Sequence, residues 1–172
     1  TNLGNVYFRV KKYRDYGNLA HRDGQDLLEN VRISALEDKE DNCDFALWKA
    51  GSENDHESSI FSSPWSLGRP GWHIECSAMS HAYLGENFDI HGGGVDLLFP
   101  HHESEIAQTT ACGCSTPSYW IHNNMITING QKMAKSLNNG VLIEELFSGN
   151  HHLLDQAYSP MTLRFFLLQA HY

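Results

Sequence analysis

Trp72-His73-Ile74-Glu75-Cys76-Ser77-Ala78-Met79-Ser80-His81-Ala82-Tyr83-Leu84-Gly85, then Phe88-Asp89-Ile90-His91-Gly92-Gly93-Gly94, then Phe99-Pro100-His101-His102 is the stretch whose reading decides the fold. Residues 72–84 read as a helix stopped by Gly85, the residue type that best tolerates a left-handed C-terminal cap. Phe88 to His91 reads as a short buried strand running into a glycine turn. Pro100 suits a first helical position, so a second helix is predicted from His101 to about Thr110. Tyr119 to Ile128 is strand-like and ends at the turn Asn129-Gly130. Strands and helices in alternation predict an α/β fold, a parallel sheet with helices on its faces.

Outward from this region the pattern weakens. Residues 3–10 alternate as a strand with Val6, Phe8 and Val10 on one face. The charged run Glu37-Asp38-Lys39-Glu40-Asp41 reads as a solvated helix or loop. Asp44 to Lys49 is a short apolar island, and residues 51–69, rich in Ser, Glu, Asn, Pro and Gly, read as a long irregular connection. Leu142–Phe147 and Met161–Ala170 read as helices, with Ser159-Pro160 opening the second.

Composition narrows the function classes. The chain has 172 residues, 12 basic and 21 acidic, a net charge of −9, and 11% aromatics, enough for a real core and too few charges for a disordered chain. No window approaches the roughly 18 apolar residues of a membrane span, and no signal peptide opens the chain. The acidic balance gives no general affinity for nucleic acid. Four cysteines without a ladder of pairs point to the cytoplasm. Of 11 histidines, five fall between His73 and His102, which marks where to look for chemistry.

Three constellations stand out. Cys76, His101 and Glu105 offer thiolate, imidazole and carboxylate, a set that tetrahedral zinc accepts, with His101 and Glu105 four apart on one helix face. On spacing alone His102 competes with His101, and His73, His102, Cys112, Cys114, water or substrate could complete the shell. His91-Gly92-Gly93-Gly94-Val95-Asp96 leaves bare backbone at a strand end, where a ligand can approach and Asp96 can take an ammonium group; the plain alternative is a tight turn. Lys132-Met133-Ala134-Lys135-Ser136 is a cationic loop suited to polyphosphate or an ordinary basic surface loop. Neither a phosphate-binding glycine loop nor a Ser-His-Asp layout is present.

These stretches together resemble the cysteinyl-tRNA synthetase family of class I aminoacyl-tRNA synthetases. Lys132-Met133-Ala134-Lys135-Ser136 is similar to the Lys-Met-Ser-Lys-Ser signature of the class, with Ala134 in place of the central Ser. Gly68 to Met79, Phe88 to Gly94, Phe99 to Glu103 and Asp44 to Lys49 carry the narrower likeness, which extends from about Val6 to Tyr172. The resemblance implies a zinc held by Cys76, His101, Glu105 and an earlier cysteine. It implies Trp72 and Asp96 beside the substrate cysteine with His91 and Gly93 nearby, and Lys135, Lys132 and Ser136 at ATP, with Mg2+. It further implies cysteine activation, transfer to tRNA(Cys) through regions mostly outside this chain, and no membrane partner.

The family's His-Ile-Gly-His motif and first zinc cysteine are expected before Thr1, so the chain alone is expected to be inactive. Residues 1–69 then correspond to part of a connective insertion. Residues 70–140 correspond to the second half of a Rossmann-like nucleotide-binding domain, and 141–172 to the start of a stem-contact region. Two other readings share the metal: the related cysteine ligase of mycothiol synthesis, and a zinc-binding interaction module without catalysis.

Overall fold

The computed structural model describes residues 1–22 and 38–169. They fall into two compact units, Thr1–Asn124 and Met125–Tyr172. The fold is α/β, with one parallel strand pair, a small antiparallel sheet, a hairpin and four α-helices among the described residues.

The first unit begins with the antiparallel sheet, whose strands β1 (Val6–Phe8), β2 (Phe45–Ala50), β3 (Phe61–Ser62) and β4 (Leu67–Pro70) lie in the order β1-β2-β4-β3. Phe8 pairs with Phe45 in register and stacks on it at 4.9 Å between ring centroids. The strand expected to reach Val10 stops at Phe8, because the Val10 N–H leaves the ladder and donates to Asp44 Oδ1 at 3.0 Å. A tight turn over Val10–Lys12 then sends Val10 into the core with Tyr16, Phe45 and Ala107.

The irregular connection expected over residues 51–69 is also corrected, since β3 and most of β4 lie within it. Gly68, expected in that connection, and Gly71 just beyond it permit close backbone approach instead. A Cβ on Gly68 would stand 2.1 Å from the Lys49 carbonyl oxygen, and one on Gly71 1.9 Å from that of Ala46. Nor is the acidic run simply solvated. Asp38 accepts hydrogen bonds from Asn5, Thr1 and Tyr7, which hold its carboxyl down to about 2, while Glu40 and Asp41 pair with Arg9 and Lys11. Glu37 lies outside the described residues.

Helix α1 (Trp72–Leu84) has the expected bounds, and Gly85 at φ +85° donates its N–H to the His81 carbonyl. Strand β5 (Ile90–Gly94) runs parallel to β6 (Tyr119–Asn123), connected through helix α2 (Glu103–Ala111). The glycines expected to form a turn after β5 are part of it. Helix α2 starts later than expected: Phe99, held extended as residues before proline usually are, kinks an irregular turn over Leu98–His102 that comes before it. That turn and the first turn of α2 present His101 to Glu105 inward, all five buried.

In the second unit the strand expected to run on to Ile128 is interrupted after Asn123. A separate hairpin, β7 (Thr127–Ile128) and β8 (Gln131–Lys132), turns at Asn129 and Gly130, both with positive φ. Helices α3 (Ile143–Ser148) and α4 (Pro160–Leu168) follow, the latter capped by Ser159 Oγ accepting from the Thr162 N–H at 3.1 Å. The expected last residue of α4, Ala170, lies outside the described residues. No described helix is long and apolar enough to cross a membrane.

The glycine approaches give a direct check. Gly71→Ala should lower the unfolding free energy by about 2–3 kcal/mol or more in denaturant titrations. Gly140→Ala, whose added Cβ meets nothing within 4 Å, should change it by less than about 0.5 kcal/mol.

Candidate metal centre

Helix α1 supplies Cys76, half-buried; the turn before α2 supplies His101, and the first turn of α2 supplies Glu105. One ligand atom from each lies within 4.8 Å of the others. His101 Nε2 stands 3.0 Å from Glu105 Oε1, yet that buried oxygen accepts no hydrogen bond. Two donors on one tetrahedral zinc, each at about 2.0–2.1 Å, lie about 3.3 Å apart. Close approach without a hydrogen bond is what convergence on a shared cation produces. Thiolate, imidazole and carboxylate are all zinc donors, so the residues present fit the metal.

Electrostatics agree. Burial, Glu105 and Glu75 push the Cys76 thiol up, so the cluster without a cation disfavours its own thiolate. A divalent cation reverses that preference by displacing the proton.

His102, the neighbour that competes with His101 on spacing, faces elsewhere. Its Nδ1 is 2.7 Å from His122 Nε2, and its ring packs beside Trp120. It forms a second group of possible ligands with His91 and the shared Glu105, in which His91 Nε2 is 3.6 Å from Glu105 Oε2. Burial, helped by the surrounding imidazoles, lowers the His102 pKa to about 4, and burial lowers that of His122 as well. Gly93 of β5 lies directly under this ring: a Cβ there would be 2.7 Å from His102 Cε1.

Of the other possible ligands, His73 faces the far side of His101, with the two Nδ1 atoms 2.8 Å apart, and burial lowers its pKa to about 4. Cys112 and Cys114 follow α2 and belong to neither ligand group. Trp72 packs against the His101 ring at 4.2 Å between centroids, tilted by 31°, with more than half of its surface open. Asp96 sits in the tight turn Val95–Leu97 that follows β5, and is exposed.

In the second unit, Lys132 ends β8 and Lys135 and Ser136 open the turn Lys135–Leu137. Asn139 staples this loop: its Oδ1 accepts from the Ala134 N–H at 2.9 Å and its Nδ2 donates to the Lys132 carbonyl at 3.0 Å. Lys135 and Ser136 are exposed.

Sequence reasoning missed His122, Trp120 and Asn139. For the first two the signal was available in period 2, since residues 120 and 122 share one face of β6, opposite His91 and Gly93 of β5. A cavity of about 480 Å³ lies beside α1 and α2, but its lining is mainly apolar, including Ile74, Ala78, Phe88 and Trp120. Glu105 and His91 reach it while Cys76 and His101 do not, so it is not the pocket for a charged amino acid.

The whole chain, residues 1–172, matches the family model for the catalytic domain of class I (C) tRNA synthetases. It is 58% identical, over 99% of its length, to a protein of Cytophaga hutchinsonii named cysteine-tRNA ligase. Similar proteins of the same name from Bacteroides fragilis and Porphyromonas gingivalis are 56% and 55% identical over 98% and 99% of the chain. The chain spans about 35% of the length of the first two of these relatives and 36% of the third.

Buried neutral histidines make the metal-free fold pH-sensitive. The ordinary histidine pKa of about 6.5 applies unfolded, and about 4 applies to His73 and His102 folded. The unfolded chain therefore binds more protons between these values, and stability is lost as pH falls from 6.5 towards 4. Denaturant titrations of metal-free protein should show a plateau above pH 7 and a decline already evident at pH 5.5. His73→Gln should make that decline shallower.

Proposed function

This chain belongs to the family of class I (C) tRNA synthetase catalytic domains, and from that premise we propose that it carries the amino-acid-selecting part of an enzyme that charges tRNA(Cys) with cysteine. The observation that carries this reading is the convergence of Cys76, His101 and Glu105 on one point. The reaction has two stages: the cysteine carboxylate attacks the α-phosphorus of ATP and pyrophosphate leaves, and then a hydroxyl of the tRNA terminus takes the cysteinyl group from the adenylate as AMP leaves.

Cys76, His101 and Glu105 would hold the zinc, which would supply a thiophilic Lewis acid able to tell the thiol of cysteine from the hydroxyl of serine. That preference bears on the whole selection problem, because the two amino acids differ at that one atom and apolar packing alone would separate them weakly. Trp72, packed against His101 and open to solvent, forms a wall for the substrate. Asp96 holds the α-ammonium by charge pairing, and His91 and Gly93 form the floor.

Lys135 and Lys132 hold the ATP phosphates and stabilise the charge that develops as pyrophosphate departs, with Ser136 as a further donor and Mg2+ accompanying the nucleotide. Ala134 in place of a serine is compatible with this role, since its N–H, rather than its side chain, ties the loop to Asn139. Residues 1–69 are assigned to a connective insertion, 70–140 to the second half of the nucleotide-binding domain, and 141–172 to the start of a stem-contact region. The protein's place is the cytoplasm.

Two substitutions separate the roles. In the intact protein Cys76→Ala should reduce zinc content well below one per chain and cut cysteine-dependent ATP–pyrophosphate exchange by about 100-fold or more. Lys135→Ala should cut exchange by about 10²–10³ while leaving zinc content unchanged. Unchanged metal content in Cys76→Ala by elemental analysis would falsify the ligand assignment.

A further inference from the structure

An imidazole that binds a metal through one nitrogen must carry its proton on the other, so whatever contacts the second nitrogen helps decide whether the ring is a ligand at all. Among the described residues, the second nitrogen of His101 has neither a carboxylate nor a backbone carbonyl as its hydrogen-bond partner. It contacts another imidazole: His101 Nδ1 and His73 Nδ1 are 2.8 Å apart. Between two neutral rings that contact holds one proton, with one ring donating and the other accepting.

The remaining geometry chooses the direction. His101 Nε2 is turned to Glu105 Oε1 at 3.0 Å, inside the group completed by Cys76. If Nε2 presents its lone pair there, the His101 proton is on Nδ1 and His73 Nδ1 is the acceptor. His73 is itself held firmly for this task. It is the second residue of α1, its ring meets Phe45 of β2 edge-on at 5.4 Å and 86°, and Trp72 covers it from the other neighbour position. The same helix carries Cys76 one turn further on, so one element fixes both a ligand and the acceptor behind another ligand.

We propose that His73 is a positioning residue: by accepting the Nδ1–H of His101 it sets the tautomer and ring orientation that present His101 Nε2 alongside Cys76 Sγ and Glu105 Oε1. This rests on the zinc reading of that cluster. His73 itself touches neither metal nor substrate.

Two substitutions distinguish acceptance of the proton from mere packing. Phenylalanine keeps a ring against Phe45 and Trp72 but has no acceptor, whereas asparagine can place its amide oxygen near the position of Nδ1. Zinc affinity of the intact protein is measured by competition with a chromophoric chelator, in wild type, His73→Phe, His73→Asn and Cys76→Ala. The expected result is a zinc dissociation constant raised about 10–100-fold in His73→Phe and changed by less than about threefold in His73→Asn. His73→Phe matching the wild type overturns the proposal, as does His73→Asn losing as much affinity as His73→Phe, which would reduce His73 to a packing residue. A wild type whose zinc affinity is unaffected by Cys76→Ala overturns the metal reading itself, and this proposal with it.

Discussion

Five consecutive polar side chains, His101, His102, Glu103, Ser104 and Glu105, are buried together, with none more than 5% exposed. Burying such groups without partners costs several kcal/mol in total, on the order of 1–3 for each unsatisfied group, so the neighbouring elements must arrive with the right atoms. They do so from four directions. Helix α1 brings His73 to His101, and β6 brings His122 to His102. The Ala20 N–H donates to Glu103 Oε2 at 3.1 Å, with the Gly17 and Leu19 N–H groups facing the same carboxylate, and Tyr16 shares a hydrogen bond with Ser104 at 2.9 Å. The stretch from Tyr16 to Ala20, the parallel pair and α1 are thereby fastened to one polar segment.

That satisfaction stays incomplete at two carboxylate oxygens, Glu103 Oε1 and Glu105 Oε1, neither of which accepts a hydrogen bond. The Glu105 carboxylate faces two imidazoles, His101 Nε2 at 3.0 Å and His91 Nε2 at 3.6 Å, with Cys76 in the same group. A cation bound as proposed would complete what hydrogen bonding leaves open at Glu105, and the cysteine thiol nearby favours a thiophilic one. The site is therefore prepared by the fold. Rigid elements place the donors, and the open Trp72 face leaves an approach for a small substrate. The lysine loop is more open: Lys135 and Ser136 are exposed, while Asn139 and the Met133 N–H bond to the Ile126 carbonyl tie down its base.

Local signals in the sequence were sufficient for elements that end on local chemistry. Gly85 stops α1 where a left-handed cap is needed, Asn129-Gly130 makes the hairpin turn, and Ser159-Pro160 opens α4. Non-local constraints were illegible. Gly68 and Gly71 look like loop residues until Lys49 and Ala46, 19 and 25 residues earlier, are seen to press against them. Val10 fits a strand until Asp44 takes its N–H. At the site, helical spacing brought His101 and Glu105 onto one face, but could not separate His101 from His102. That distinction depends on His73 and His122, one 28 residues before its partner and the other 20 residues after, contacts that no local pattern encodes.

The central claim is that these buried donors hold a zinc that reads the substrate sulfur. Zinc K-edge X-ray absorption on the intact protein tests it most directly, because sulfur and nitrogen or oxygen neighbours are resolved by distance, at about 2.3 Å against about 2.0–2.1 Å. Addition of L-cysteine should raise the number of sulfur neighbours by one, and L-serine should leave the spectrum unchanged. A sulfur count that stays constant on saturation with L-cysteine would contradict the account.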